Sequence, residues 1–132
     1  MSETDLTTGR AMRRKLLGDA YVDAIAATTY KDPMMQTFVD LASETIFGVL
    51  WTRPGLDLKT RTLITVIADA STGREAELVT HLRMAWRQGW TEEELTEAFL
   101  HLIGYVGAPL VRDAMLVATK VFAELRAEDP KA

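Results

Sequence analysis

The sequence predicts an all-α fold, a compact bundle of about seven helices in one domain spanning 1–132. Three observations carry that expectation. Apolar residues recur at helical spacing in almost every segment, and no segment alternates apolar and polar residues as a half-buried strand does. The breaks between segments hold the glycines, prolines and capping residues that end and restart helices. No internal repeat or low-complexity linker divides the chain.

Taken in order, the first helix runs from about Thr8 to Leu17, and Gly18 supplies the left-handed position that ends it. A second starts near Asp19, carries Tyr21, Val22, Ile25 and Ala26, and fades at Thr28-Thr29. Asp32-Pro33 restarts the chain, since proline at a first helical position gives up an N–H that has no partner there. Met34, Met35, Phe38, Leu41, Ala42, Ile46 and Leu50 then form one apolar stripe, broken at Arg53-Pro54-Gly55. Asp57 opens a fourth helix whose stretch Leu63 to Ala70 is almost wholly apolar, and Gly73 closes it. A fifth closes at Gly89, and Thr91 with Glu94 is a capping box for the sixth. Gly104 to Pro109 interrupts the pattern before a last helix from about Pro109 to Arg126, with Gly104, Gly107 and Ala108 read as sites of close helix approach.

Composition narrows the function. The net charge of −4 argues against nucleic acid, because phosphate contacts need clustered cations and the group Arg10, Arg13, Arg14, Lys15 is short. No apolar run approaches membrane-spanning length, and the start of the chain is acidic rather than a signal sequence, so a cytoplasmic domain with no membrane partner is expected. The absence of cysteine removes disulfides, thiolate metal sites and thiol nucleophiles. Two histidines on different helices, His81 and His101, make a poor metal site, so no metal is expected.

The helix after Gly73 holds the strongest chemical signal. Glu77 and His81 stand four residues apart and project from one face, where a carboxylate fixes the tautomer of an imidazole used for proton transfer. Glu75 lies about 200° around the helix from Glu77. It reads as a helix-start acid favoured by the macrodipole. On spacing alone, the commoner reading of Glu77 and His81 is an ordinary surface pair.

Three stretches resemble a known family: Trp51-Thr52-Arg53-Pro54-Gly55-Leu56, then Thr60-Arg61-Thr62-Leu63-Ile64-Thr65, then Arg74-Glu75-x-Glu77-Leu78 with His81-Leu82-Arg83. With Gly89, Tyr105-x-Gly107-x-Pro109 and Val121-Phe122-Ala123-Glu124, they look like the carboxymuconolactone decarboxylase family of the alkylhydroperoxidase-D-like superfamily. The resemblance implies an alkylhydroperoxidase-D-like helical fold and a homo-oligomer, a trimer or hexamer. Peroxidases of that superfamily carry Cys-x-x-Cys-x-x-x-His where this chain has Arg74, Glu77 and His81, so the histidine is kept and thiol peroxidase chemistry is excluded. Val106 stands where decarboxylases of the family have cysteine, and Leu116 where many have histidine. Asp69, Ala70 and Ser71 occupy a segment that is more aliphatic in typical members.

The implied activity is a cofactor-free decarboxylation of 4-carboxymuconolactone or a related carboxylated unsaturated lactone, with aromatic catabolism as its setting. His81 carries the proton and Glu77 orients it; Arg53, Arg61 and Arg74 hold the anionic substrate, and Trp51 and Tyr105 line its pocket. Each of these has a bland reading beside it. Trp51 and Tyr105 also suit a core or an interface, Arg61 suits a structural ion pair, and His101 reads as a partly exposed structural histidine. Two further functions stay open. One is a repurposed member acting as an isomerase, cyclase or tailoring enzyme of secondary metabolism; the other is a non-catalytic oligomeric binding module.

Overall fold

A computed structural model describes residues 3–128, all of them helical or in short connections. Ser2, part of the acidic start of the chain, lies outside them. The helices are α1 (Glu3–Leu17), α2 (Asp19–Ala27), α3 (Pro33–Ala42), a π-helical segment (Ser43–Leu50), α4 (Leu58–Thr72), α5 (Glu75–Arg87), α6 (Glu92–Val106) and α7 (Ala108–Glu128). The all-α class is as the sequence predicts. Chain contacts divide it into two units, Met1–Asp57 and Leu58–Ala132.

In the first unit, α1 packs along the π-helical segment and α3 leads into that segment without a break. The apolar stripe expected as one helix is thus α-helical to Ala42 and π-helical beyond it, with the Trp51 N–H reaching back five residues to the Ile46 carbonyl at 2.9 Å. The basic cluster of α1 is consumed locally. Arg10 pairs with Asp40 at 3.0 Å, and Arg14 bridges Asp19 at 3.1 Å and Asp23 at 2.8 Å. Arg13 lies over the Tyr30 ring, 5.2 Å from its centroid. Burial lowers the Arg13 pKa, and the Tyr30 hydroxyl works in the opposite direction. Met34, Phe38, Leu41, Ile46, Val49 and Leu50 remain exposed along α3 and the π segment.

The second unit has its own core. Val66 and Ala70 of α4, Leu78, Leu82 and Trp86 of α5, Leu95 and Phe99 of α6, and Val111, Ala118, Val121 and Phe122 of α7 are all buried together. Their three- and four-residue spacing turns one stripe of each helix inward. Trp86 and Phe122 meet with ring centroids 6.2 Å apart. Between α5 and α6, Thr91 accepts from the Glu94 N–H at 3.0 Å while Glu94 accepts from the Thr91 N–H at 2.9 Å, completing the expected capping box. The Trp90 indole N–H donates to the Lys59 carbonyl at 2.9 Å, which ties the α5–α6 turn to the start of α4.

Two local expectations need correction. The first helix starts at Glu3 rather than near Thr8, carrying Gly9 in its interior. The sixth continues through Gly104 to Val106, and only Gly107, with φ of 95°, separates it from α7. Gly104 is not a point of close approach within the chain, since a Cβ placed there meets nothing within 4 Å.

Candidate functional site

The turn between α4 and α5 builds the site. Gly73 adopts φ of 70°, where a side chain is strained, and lets the chain reverse within two residues. The Arg74 N–H donates to the Asp69 carbonyl at 3.0 Å, and the Leu78 N–H donates to the Arg74 carbonyl at 2.9 Å, so one turn closes as the next helix opens. α5 then packs back along α4. Residue 81 comes beside residue 69 in consequence.

That juxtaposition joins a buried carboxylate to an imidazole. Asp69 Oδ2 accepts a hydrogen bond from His81 Nδ1, with the two side chains 8% and 17% exposed respectively. A carboxylate stripped of water at the edge of an apolar core needs a partner, and the ring provides it. Because an ionised carboxylate only accepts, Nδ1 carries the proton in this contact and Nε2 is the ring nitrogen left for other chemistry.

The expected orienting partner is therefore corrected. Helical spacing pairs His81 with Glu77, yet the carboxylate bonded to the ring is Asp69, and Glu77 is exposed. The physical reason is solvation. Glu77 keeps its water one turn earlier on α5, whereas Asp69 has lost its own and gains more from the ring.

The other expected residues fall in several places. Arg74 occupies the N-cap position of α5, exposed, and borders a small recess together with Asp69, Glu75, Leu78, Leu110 and Asp113. Arg61 is half-buried on α4, two turns before Asp69. Tyr105 is 76% exposed near the end of α6, its ring centroid 5.1 Å from that of His101, which is itself exposed. Trp51 and Arg53 belong to the first unit. There Trp51 is buried against Phe47 with centroids 6.1 Å apart, and Arg53 is exposed in the turn that follows. Thus Arg74 and Asp69 share a recess, and Glu77 and His81 share the helix that Arg74 precedes.

Asp69 is the site residue that sequence reasoning did not select. Its signal was present: an acidic residue inside the run Leu63 to Ala70 has to be paired if that run is buried. The partner, twelve residues away on the next helix, is not given by any single-helix spacing. Among the described residues, no three His, Asp or Glu side chains gather as a metal site, and no helix is long and apolar enough to cross a membrane.

Comparison with known proteins locates this site in a family. The profile of the carboxymuconolactone decarboxylase family matches residues 36–120, which includes both Asp69 and His81. The chain is 36% identical over 117 residues to the 4-carboxymuconolactone decarboxylase of Acinetobacter baylyi, covering 89% of this chain and 86% of that one. It is 35% identical over 117 residues to the nitrosuccinic acid decarboxylase npaB of Metarhizium robertsii, covering 89% of this chain and 80% of the relative. An uncharacterized 15.0 kDa protein of Paracoccus denitrificans, from the nqo9-nqo10 intergenic region, is 38% identical over 82 residues, which cover 59% of this chain and 60% of the relative.

Proposed function

The chain belongs to the carboxymuconolactone decarboxylase family, and from that premise we propose that it is a cofactor-free decarboxylase in which His81 returns the proton. Relatives named as decarboxylases of 4-carboxymuconolactone and of nitrosuccinic acid support the carboxy-lyase role. Their two substrates share a chemical logic. Each carries a carboxylate whose loss leaves an electron pair that passes onto oxygen, through a conjugated lactone carbonyl in one and a nitro group in the other. Each also keeps a second carboxylate. An acid of that kind brings its own electron sink, so the protein has to bind, orient and protonate.

The proposed step breaks one carbon–carbon bond. The departing carboxylate becomes carbon dioxide, the bonding pair becomes an enolate or nitronate, and a proton from His81 Nε2 ends at carbon. Neutral imidazole with the proton on Nδ1 remains, and solvent restores the Nε2 proton once product leaves. The observation that carries this reading is the tethering of His81 at Nδ1, which leaves Nε2 as its proton-transfer atom. Positioned proton transfer of this sort contributes about 100- to 10,000-fold. Arg61 and Arg74 are the proposed holders of the retained carboxylate, since guanidinium forks match it in geometry and charge. Arg53, Trp51 and Tyr105 remain substrate-binding proposals, and Glu77, exposed on α5, is given no share in holding the ring.

The substrate proposed first is 4-carboxymuconolactone or a close unsaturated lactone, and the second relative favours a nitro-substituted diacid as the other reading. Carbon dioxide release measured on both compounds separates them, and release from neither would overturn the proposal. The working form is proposed to be a homo-oligomer, trimer or hexamer. Met34 at 81%, Phe38 at 56%, Leu41 at 60% and Leu116 at 59% exposure are more apolar surface than a small monomer usually leaves in water.

A further inference from the structure

We propose that Asp69 is the positioning residue of this reaction: from α4, it sets the orientation and tautomer of His81, the task that helical spacing assigns to Glu77. The inference rests on the decarboxylase reading of His81 given above.

Three features of the pair argue for it. The first is rigidity. Asp69 lies on the inner side of α4, one residue before the core residue Ala70 and three after the core residue Val66, so its carboxylate is presented by the best-packed part of the unit. A surface acid such as Glu77 has several free torsions and a full hydration shell, and holds nothing in place. The second is direction. The hydrogen bond enters the ring at Nδ1, which settles the neutral form as the Nδ1–H tautomer and leaves a lone pair, or in the acid form a proton, on Nε2. After proton transfer to carbon, the tautomer that remains is the one Asp69 already stabilises. The third is the cost of the alternative. A carboxylate 8% exposed and deprived of its ring would be left without water, so the fold itself favours the ring staying in place through turnover.

Asp69 touches no reacting atom in this account. It acts through His81, so its signature is in kcat and in the ring, with little in substrate affinity.

The test uses the full-length protein and two substitutions. Asp69→Asn keeps shape but removes the charge, and Asp69→Leu removes every polar atom; circular dichroism of each checks the fold, because either change takes a partner from His81. Nitrogen-15 NMR of the imidazoles in free protein reads the tautomer without any substrate. A His81→Gln sample, lacking the His81 signals, assigns them. We expect the wild-type His81 ring in the Nδ1–H form at pH values where it is neutral, and a shift toward Nε2–H in Asp69→Leu. For both variants kcat should fall by about 100-fold or more with KM within about 3-fold. Asp69→Glu should recover part of kcat. Glu97→Gln, exposed on α6 and outside the recess, serves as the control that leaves both readouts in place. Full turnover by Asp69→Leu with an unmoved ring overturns the inference, as does a larger loss in Glu77→Gln than in Asp69→Leu. Failure of the decarboxylase reading looks different: there the wild-type protein releases carbon dioxide from neither acid, or His81→Gln itself keeps turnover, whatever the wild-type ring shows.

Discussion

Gly9 of α1 lies so close to the carbonyl of Ser43 that a Cβ built on it would stand 1.7 Å from that oxygen. The relation is mutual, since a Cβ on Gly48 of the π segment would stand 2.2 Å from the Asp5 carbonyl oxygen. Each helix presents a hydrogen atom where the other presents its backbone, and no rotamer change relieves such a clash.

Gly9→Ala should therefore destabilise the protein although alanine is the better helix former by about 1 kcal/mol. Forcing the two backbones apart costs more than that, about 1–3 kcal/mol by the usual scale of overpacking. Gly104→Ala is the opposite case, because nothing lies within 4 Å of its Cβ position on α6. It should stabilise by about 0.5–1 kcal/mol. Urea unfolding of the two variants side by side checks the sign of each, and equal effects would contradict the account of the crossing.

These glycines mark the boundary of what the sequence discloses. Helix punctuation was legible at Gly18, Pro33, Gly73, Gly89 and Thr91, because a positive φ, a proline at the start or a reciprocal cap is a local requirement. Gly104 looked like a break yet lies inside a helix in open space, and Gly9, within the expected first helix, gave no sign of the close crossing it makes. The π segment was hidden because no residue type or spacing in Ser43–Leu50 marks a change from i→i−4 to i→i−5 hydrogen bonding. In the site, His81 was legible by its resemblance and rarity, while Asp69 was not, since its role comes from the return of α5 along α4.

Glu128 should make a small, pH-dependent contribution through Arg83. Arg83 donates to it at 2.8 and 3.2 Å, and that hydrogen bonding holds the Glu128 carboxyl below its ordinary pKa. A carboxyl depressed in the folded state stabilises above its unfolded pKa, and the contribution is lost as pH falls through the lowered folded value. Glu128 is exposed and its charge is screened by solvent, so Glu128→Gln should cost less than about 1 kcal/mol at neutral pH. The difference from wild type should vanish in strong acid, and a difference that grows in acid would reverse the sign argued here.

Arg74→Ala should separate binding from chemistry. Loss of one charge-assisted contact to the retained carboxylate weakens binding by about 1.5–3 kcal/mol, roughly 10- to 100-fold in KM, with kcat little changed. Because Arg74 is exposed, thermal stability should hardly move. Steady-state kinetics with the cognate acid reads both constants, and an unchanged KM would remove Arg74 from the substrate site.

Light scattering should give a mass of three or six chains at micromolar concentration. Phe38→Lys, which places a charge in the exposed stripe of α3, should shift the mass downward if that stripe is covered in the assembly. A wild-type monomer would contradict the oligomer proposal outright.

The most direct test of the central claim is single-turnover formation of the decarboxylated, protonated product by His81→Gln. Glutamine can still donate to Asp69, so the buried carboxylate keeps a partner and the fold is preserved, as circular dichroism would confirm. Its amide is no acid at neutral pH, so it cannot deliver a proton to carbon. Adding Asp69→Asn should cost much less than the product of the two single losses, as parts of one unit are not additive. The account predicts that His81→Gln loses at least about 100-fold in the protonation-dependent rate while binding the acid normally. Protonated product formed at the wild-type rate by the folded variant would contradict it.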